Sequence, residues 1–384
     1  MACSGYRRMR EAGLSLVEVM VALVVGLVTV LVVAQVFSAF EGDKRTTMGA
    51  SDAQTGGALA LYTLRRQLVA AGYGLPVFTT QNNVLQQCPT DCSVGGNSGP
   101  CVQGAPLGGN GVSLFPVEIV DGGTGSDTIR VRFGTSPLAG VHSTVQNATG
   151  NVLAVDNNQA CAAGDNVLLM TPPNGCFVGA VTALPAPPVS TNVTVSGDVA
   201  ALSAFVDPNR TVLACLGTWT QLTYAVNNDR LEVATRINGA TTTSPAIPDI
   251  VNLQAQYGIS AAANDNVIRE WVDATGVWAN LNDEAADVAR RNRIKAVRIA
   301  VVARSGILER NNVTDACSSL TAPNPTGLCA WEGVPAGGTI TTASPAPAIN
   351  LDPNNNNPDW QRYRYRVFET IIPLRNLIWN RTSL

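Results

Sequence analysis

The residues of this chain that can do chemistry are few: one acid near its beginning, and sulfur. Glu18 is the only charged side chain between Leu14 and Phe40. An acid in such an apolar run costs about 3 kcal/mol on membrane-insertion scales, so it calls for a cation. The run contains no Lys, Arg or His. Hydrolysis of the bond between Gly13 and Leu14 would supply one, because the new α-amino group stands four residues before Glu18, about one helical turn away. The same cut removes Cys3 and leaves eight cysteines, Cys88, Cys92, Cys101, Cys161, Cys176, Cys215, Cys317 and Cys329. An even number in an oxidising compartment reads as up to four disulfides. Eight cysteines allow on the order of a hundred connectivities. Sequence proximity favours Cys161 with Cys176 and Cys317 with Cys329, each closing a loop rich in Gly, Pro and Asn.

Other chemistries find less support. Cys88 and Cys92 have one half-site spacing for zinc, but no second half follows and His142 is the only histidine, so no metal is expected. A Ser-His-Asp arrangement would have to use His142, in the loop-like stretch Gly140 to Thr144, and the chain has no nucleophile-elbow motif. The expectation is a protein that is not an enzyme and carries no cofactor. The stretches Asp121 to Asp127 and Asp352 to Asp359 offer oxygen ligands without the EF-hand spacing, and turn chemistry accounts for both. Asp283 and Glu284 read as the first turn of a helix, where they complement its dipole.

The elements that must position these groups begin with the apolar run. Leu14 to Phe40 is 27 residues, ~40 Å as a helix, enough for a ~30 Å hydrocarbon core. Arg7, Arg8 and Arg10 precede it, which by the positive-inside rule leaves the leader in the cytoplasm and sends the remainder across the membrane. An ordinary secretory signal, cut after Ala34 or Ala39, is the bland alternative, beside a plain single-span anchor. The run exceeds the usual apolar core of about 7 to 15 residues, and neither alternative gives a reason for Glu18.

The helix is expected to continue. No proline lies between Lys44 and Ala71, and Ala50, Ala53, Gly57, Leu61, Leu64, Leu68 and Ala71 recur every three or four residues as an amphipathic stripe. Gly72 and Gly74 supply a stop, reinforced by Pro76. Gly42, Gly49, Gly56 and Gly57 each weaken the helix by about 1 kcal/mol relative to Ala.

Downstream the period is two. Strands are expected at Ile129 to Phe133, Trp219 to Val226, Arg230 to Ile237, Ile250 to Ile259 and Ile294 to Ala303, with Val226 to Arg230 read as a turn and a short helix over Asp283 to Arg291. A last strand, Arg362 to Ile372, would place Arg362, Arg364 and Arg366 on one basic face and bury the other. With 35 Gly, 22 Pro and 14% charged residues, the composition fits a strand-and-loop head. Removing three Arg and Glu11 from 25 basic and 28 acidic residues leaves 22 against 27, net −5, which gives no overall basic surface for nucleic acid.

A short basic leader, Gly13, a hydrophobic residue and Glu18 at the fifth position of an apolar helix resemble the prepilin signal of type IV pilins and type II secretion pseudopilins. The run Ala58 to Gly74, ending in Ala71-Gly72-Tyr73, the block Ile250 to Gly258, Ala296 to Ala300 with Ala303-Arg304-Ser305, and the close Tyr363 to Asn376 are similar to the PilW family of minor pilins. The resemblance implies cleavage between Gly13 and Leu14 by prepilin peptidase, N-methylation at Leu14 and a filament-assembly role for Glu18. It implies an α+β pilin-like fold, a long N-terminal helix on an antiparallel sheet, with disulfide-rich insertions. The organisation would be a leader over 1–13, a membrane and filament-core helix over 14–40, its amphipathic continuation over 41–74, and an extracytoplasmic head over 75–384. Implied partners are prepilin peptidase, other minor pilins and the major pilin, and an inner-membrane assembly platform. The implied location is a single pass in the inner membrane with the head in the periplasm, then the pilus. Two further classes stay open: a type II secretion pseudopilin, and a tip-exposed adhesion or DNA-binding module using Arg362, Arg364 and Arg366.

Overall fold

The computed structural model describes residues 15–75, 101–103, 115–123, 125–138, 141–171, 175–185, 191–197, 199–200, 203, 206–237, 240–279, 281, 290–319, 325–331, 349–352 and 357–378. The chain separates into two compact units, Met1–Ser51 and Asp52–Leu384.

One helix, α1, runs Leu16–Ala70 over 55 residues and is helical through all four glycines expected to weaken it. Within the first unit, Leu16–Ser38 has mean hydropathy 2.9 and none of its most apolar window is buried. Within the second unit, one face of α1 is buried, through Ala53, Gly57, Ala60, Leu64 and Leu68. The helix ends where glycine permits a reversal. Gly72 and Gly74 have φ of +74° and +92°, the left-handed region in which a Cβ is penalised.

Sixteen strands are described: β1 (Cys101–Gln103), β2 (Val117–Val120), β3 (Thr128–Phe133), β4 (His142–Thr149), β5 (Val152–Val155), β6 (Asn166–Thr171), β7 (Gly175–Ala183), β8 (Asn192–Val195), β9 (Val212–Gly217), β10 (Thr220–Asn227), β11 (Arg230–Ile237), β12 (Ala240–Pro248), β13 (Ile250–Ser260), β14 (Ile268–Val272), β15 (Ile294–Arg304) and β16 (Tyr365–Pro373). A four-residue helix, α2 (Arg375–Ile378), follows β16. They form a five-stranded sheet, β12-β11-β10-β3-β2, a four-stranded sheet, β14-β13-β15-β16, and a seven-stranded sheet, β1-β7-β6-β9-β4-β5-β8. β1 joins β7 in parallel, and the other strand pairs are antiparallel.

The first two sheets and the buried stripe of α1 share one core, in which Leu64 and Leu68 meet the side of the sheets that carries Ile129, Tyr257, Val297 and Ile299. We call this assembly, the second half of α1 with β2, β3 and β10 to β16, the frame. Its two sheets are sewn together at the β2–β3 loop. Asp127 donates its amide to the Leu253 carbonyl (2.8 Å) and accepts the Ala255 amide on its carboxylate (2.8 Å). The expected hairpin is present: Asn228 and Asp229, with φ of +48° and +57°, join β10 to β11 in the twist that two-residue hairpins require.

Four expectations are revised. Cys161 bonds Cys215 rather than Cys176, because Cys215 of β9 lies in a buried cluster with Val145, Leu153 and Phe177 against which Cys161 packs. His142 is not in a loop but opens β4, opposite Ala214. The last strand begins at Tyr365, since residues Trp360–Arg362 form a 3-10 turn. Of that strand only Ile372 is fully buried, so its second face is half-covered instead of buried. Residues 283–289 of the expected helix, Pro76, Cys88 and Cys92 lie outside the described residues.

Candidate functional site

The chemistry-bearing beginning of the chain is an extended apolar helix with one acid. Glu18 lies in the first turn of α1, where its amide and that of Val19 both donate to the Ser15 carbonyl (3.0 and 3.2 Å). A carboxylate there is favoured by the positive end of the helix dipole. Thr29, the other polar side chain early in the span, returns its hydroxyl to the Val25 carbonyl (2.8 Å), so it presents no free donor. Gly13 and Leu14, the expected cleavage and methylation positions, lie outside the described residues.

The second half of the helix is held by the far end of the chain. A side chain at Gly57 would overlap the Phe368 ring of β16, so the absence of a Cβ sets how closely helix and sheet approach. Asn376, in α2, donates its side-chain amide to the Ala71 carbonyl (2.9 Å), satisfying a group that a helix end leaves bare. Leu374, fully buried, donates its amide to the Lys295 carbonyl (2.9 Å) and fixes the register of that approach. From the other sheet, the Arg132 carbonyl accepts the Gly72 amide (2.8 Å). The helix end is therefore pinned by β3 of one sheet and by the α2 segment that follows the other, the latter more than three hundred positions away.

The polar side chains of the frame are mostly satisfied among themselves. Glu118 receives Arg130 on one oxygen (2.7 Å) and Arg132 on the other (2.6 Å). Burial pushes the Glu118 carboxyl up, but the two guanidinium groups, Arg132 foremost, outweigh it and hold the carboxyl below its ordinary range. Arg132, buried at 4% exposure, also reaches Gln221 and the Phe115 carbonyl. It alternates with the apolar Val131 and Phe133, and the paired acid on β2 is what allows it to be covered. Arg298 is held between the rings of Trp271 and Trp331 (5.2 and 4.6 Å to the centroids) and donates to Gln256 (2.6 Å). Burial lowers its pKa to about 10, against the pull of Asp273 and Glu369. Asp127 is driven the other way, to about 7, chiefly by burial.

The three arginines read as phosphate contacts do not form a free patch. Arg362 pairs with Asp359 (2.9 Å) and Arg364 with Glu309 (2.8 Å), and only Arg366 lies on β16 itself. Asp121 and Asp127, read as possible oxygen ligands, instead accept the amides of Gly123 (2.7 Å) and Gly122 (2.8 Å) within their own loop. Among the disulfide candidates, Cys317 and Cys329 are bonded as expected, with Cα atoms 4.9 Å apart. Cys101 and Cys176 are register partners of β1 and β7.

Comparison with known proteins falls on the same frame. Residues 222–376 match the family model PilW, described as Type IV Pilus-assembly protein W. That segment, 155 of the 384 residues, is what this chain shares with the family. The PilW block starts in β10, two residues after the frame resumes, and ends at Asn376, the residue that caps α1. A solved structure, the type IV-like pilin TTHA1219 from Thermus thermophilus, is similar at 12% identity over 56% of this chain and 86% of its own, with a TM-score of 0.23. A likeness that loose fixes nothing about the arrangement. No curated protein matches the chain at a significant level.

Proposed function

We propose that this chain is a minor pilin, a low-abundance subunit that helps prime and assemble type IV pili near the tip, with a structural rather than catalytic role. Prepilin peptidase cuts after Gly13, Leu14 becomes the methylated N-terminus, and the chain waits in the inner membrane with its head in the periplasm. One observation supports this above the others: the helix whose first residues are long and apolar enough to cross a membrane is the helix whose last turns are held by Phe368 and Asn376 of the PilW block.

The physical logic follows. A helix greasy on all faces leaves the bilayer only when neighbouring helices replace the lipid, and burial at ~25 cal/mol per Å² of apolar surface favours that packing. Glu18 then sets register, since its carboxylate is matched when the new amine of a neighbouring pilin lies opposite. The other minor pilins, the major pilin and the inner-membrane assembly platform are the partners this implies. Expression with and without a prepilin peptidase tests the first step. The mass should fall by that of residues 1–13, and Gly13→Leu should block the change. A chain that keeps its leader beside an active peptidase contradicts the reading.

A further inference from the structure

Residues 134–219 leave the frame and return to it at one point. β3 ends at Phe133, β10 begins at Thr220, and these two residues are register partners, so 86 residues stand where a two-residue turn would suffice. The inserted strands close on themselves. β4, β5, β8, β7, β6 and β9 follow one another in hydrogen-bonded order, and the β9–β4 pairing completes the ring. The ring closes without a strand of the frame, and β1, which precedes the insert, adds in parallel to β7.

Its interior is its own. Val145, Leu153, Leu169, Phe177, Val193 and Leu213 pack in a cluster separate from the one that holds α1. The Cys161–Cys215 disulfide lies wholly within the insert and Cys317–Cys329 wholly within the frame, so no described disulfide joins the two. Composition divides at the same place: Asp156, Asp165, Asp198, Asp207 and Arg210 are the only Asp, Glu, Lys or Arg of 134–219. The attachment is a short neck. Thr135 and Ser136 donate to the Leu216 carbonyl (2.8 and 3.0 Å), Gly134 donates to the Tyr73 carbonyl (2.6 Å), and Leu75 and Trp219 pack on the outer wall of the ring.

We propose that this barrel is a separately folding passenger, which the frame carries without needing it either to seat α1 or to enter a filament. The last clause rests on the minor-pilin reading; the folding clause does not. Tolerance of an insertion is decided by what its ends and hydrogen bonds require of the host, and here both are met at the neck.

Hydrogen exchange on the full-length, disulfide-intact chain tests the folding clause. Phe177→Asp places a charge inside the ring, and amide protection should be lost across β4 to β9 while β13, β15 and β16 keep theirs. Loss of protection in both regions together would overturn the proposal. A second full-length variant replaces 134–219 by Asn-Asp, the turn already used between β10 and β11, with Cys88, Cys92 and Cys101 changed to Ser. Its Cys317–Cys329 bond should form, and its recovery in sheared pili should equal that of the parent. Free Cys317 thiol, or unprotected β13 and β15, would overturn it. A protected frame in an excised chain that stays out of pili while the parent enters them overturns the filament clause, and absence of both excised and parental chains from pili upholds the folding clause and removes the minor-pilin reading instead.

Discussion

The two halves of α1 are built from similar apolar residues and meet opposite fates. Leu16–Ser38 is apolar on every face and none of its most apolar window is buried, whereas beyond Asp52 the same helix buries only Ala53, Ala60, Leu64, Leu68 and their neighbours. The difference teaches where each half finds its partner. One-sided patterning matches a partner already present in the chain, the two sheets of the frame. All-round apolarity has no such match within a single copy and is satisfied only by lipid or by other helices.

Substitutions at equivalent chemistry in the two halves should break that symmetry most visibly. Leu64→Ala is expected to cost ~2–5 kcal/mol of head stability, because Leu64 is fully buried and a cavity remains. Leu31→Ala, 52% exposed, should leave the denaturant midpoint of the head in detergent unchanged. Equal losses at both positions would mean that the halves are not distinct.

Acidity should also act on the seated half. Asp127 has a folded pKa of about 7 against an ordinary value of 3.8, so its burial favours the protonated form. Its stabilising contribution is complete below the unfolded value and is lost as pH rises through about 7. Asp273 shifts in the same direction. Glu118, held low, acts in the opposite sense, but only as pH falls below its ordinary range. Between pH 5 and 8 the head should therefore lose on the order of a few kcal/mol as pH rises. Asp127→Asn should flatten that slope in melts across the window, and an unchanged slope would count against it.

Smaller effects probe the fit of the helix on its seat. Gly57→Val should destabilise the head by ~1–3 kcal/mol through overlap with Phe368, and Phe368→Ala should recover part of the loss in the double variant. Asn376→Ala removes the cap on Ala71 and should cost about 1 kcal/mol. In Asn376→Ala, earlier exchange of amides near Tyr73, with β13 unchanged, would place the effect at the helix end.

Legibility in the sequence followed the same division. The helix, its glycine stop and the β10–β11 hairpin were readable because each rests on a local rule: period, left-handed φ, a two-residue turn. Long-range facts were not. Nothing in Cys161 or Cys215 says that a ring of six short strands brings them together, and proximity pointed instead to Cys176. The burial of Arg132 in β3 was not readable because its partner, Glu118, lies on another strand. Arg362 and Arg364 read as one face of a strand, although the chain turns before β16 and each meets an acid from elsewhere or nearby. The residue proposed for assembly was the converse case. Glu18 was legible from composition alone, since a lone acid in an apolar run has no local explanation.

Glu18→Ala tests the central claim most directly, by comparing membrane and sheared-pilus fractions from cells expressing the variant and the parent. The account predicts equal amounts of cleaved chain in the membrane and a clear fall in the pilus fraction of the variant. Equal recovery in both fractions would contradict it.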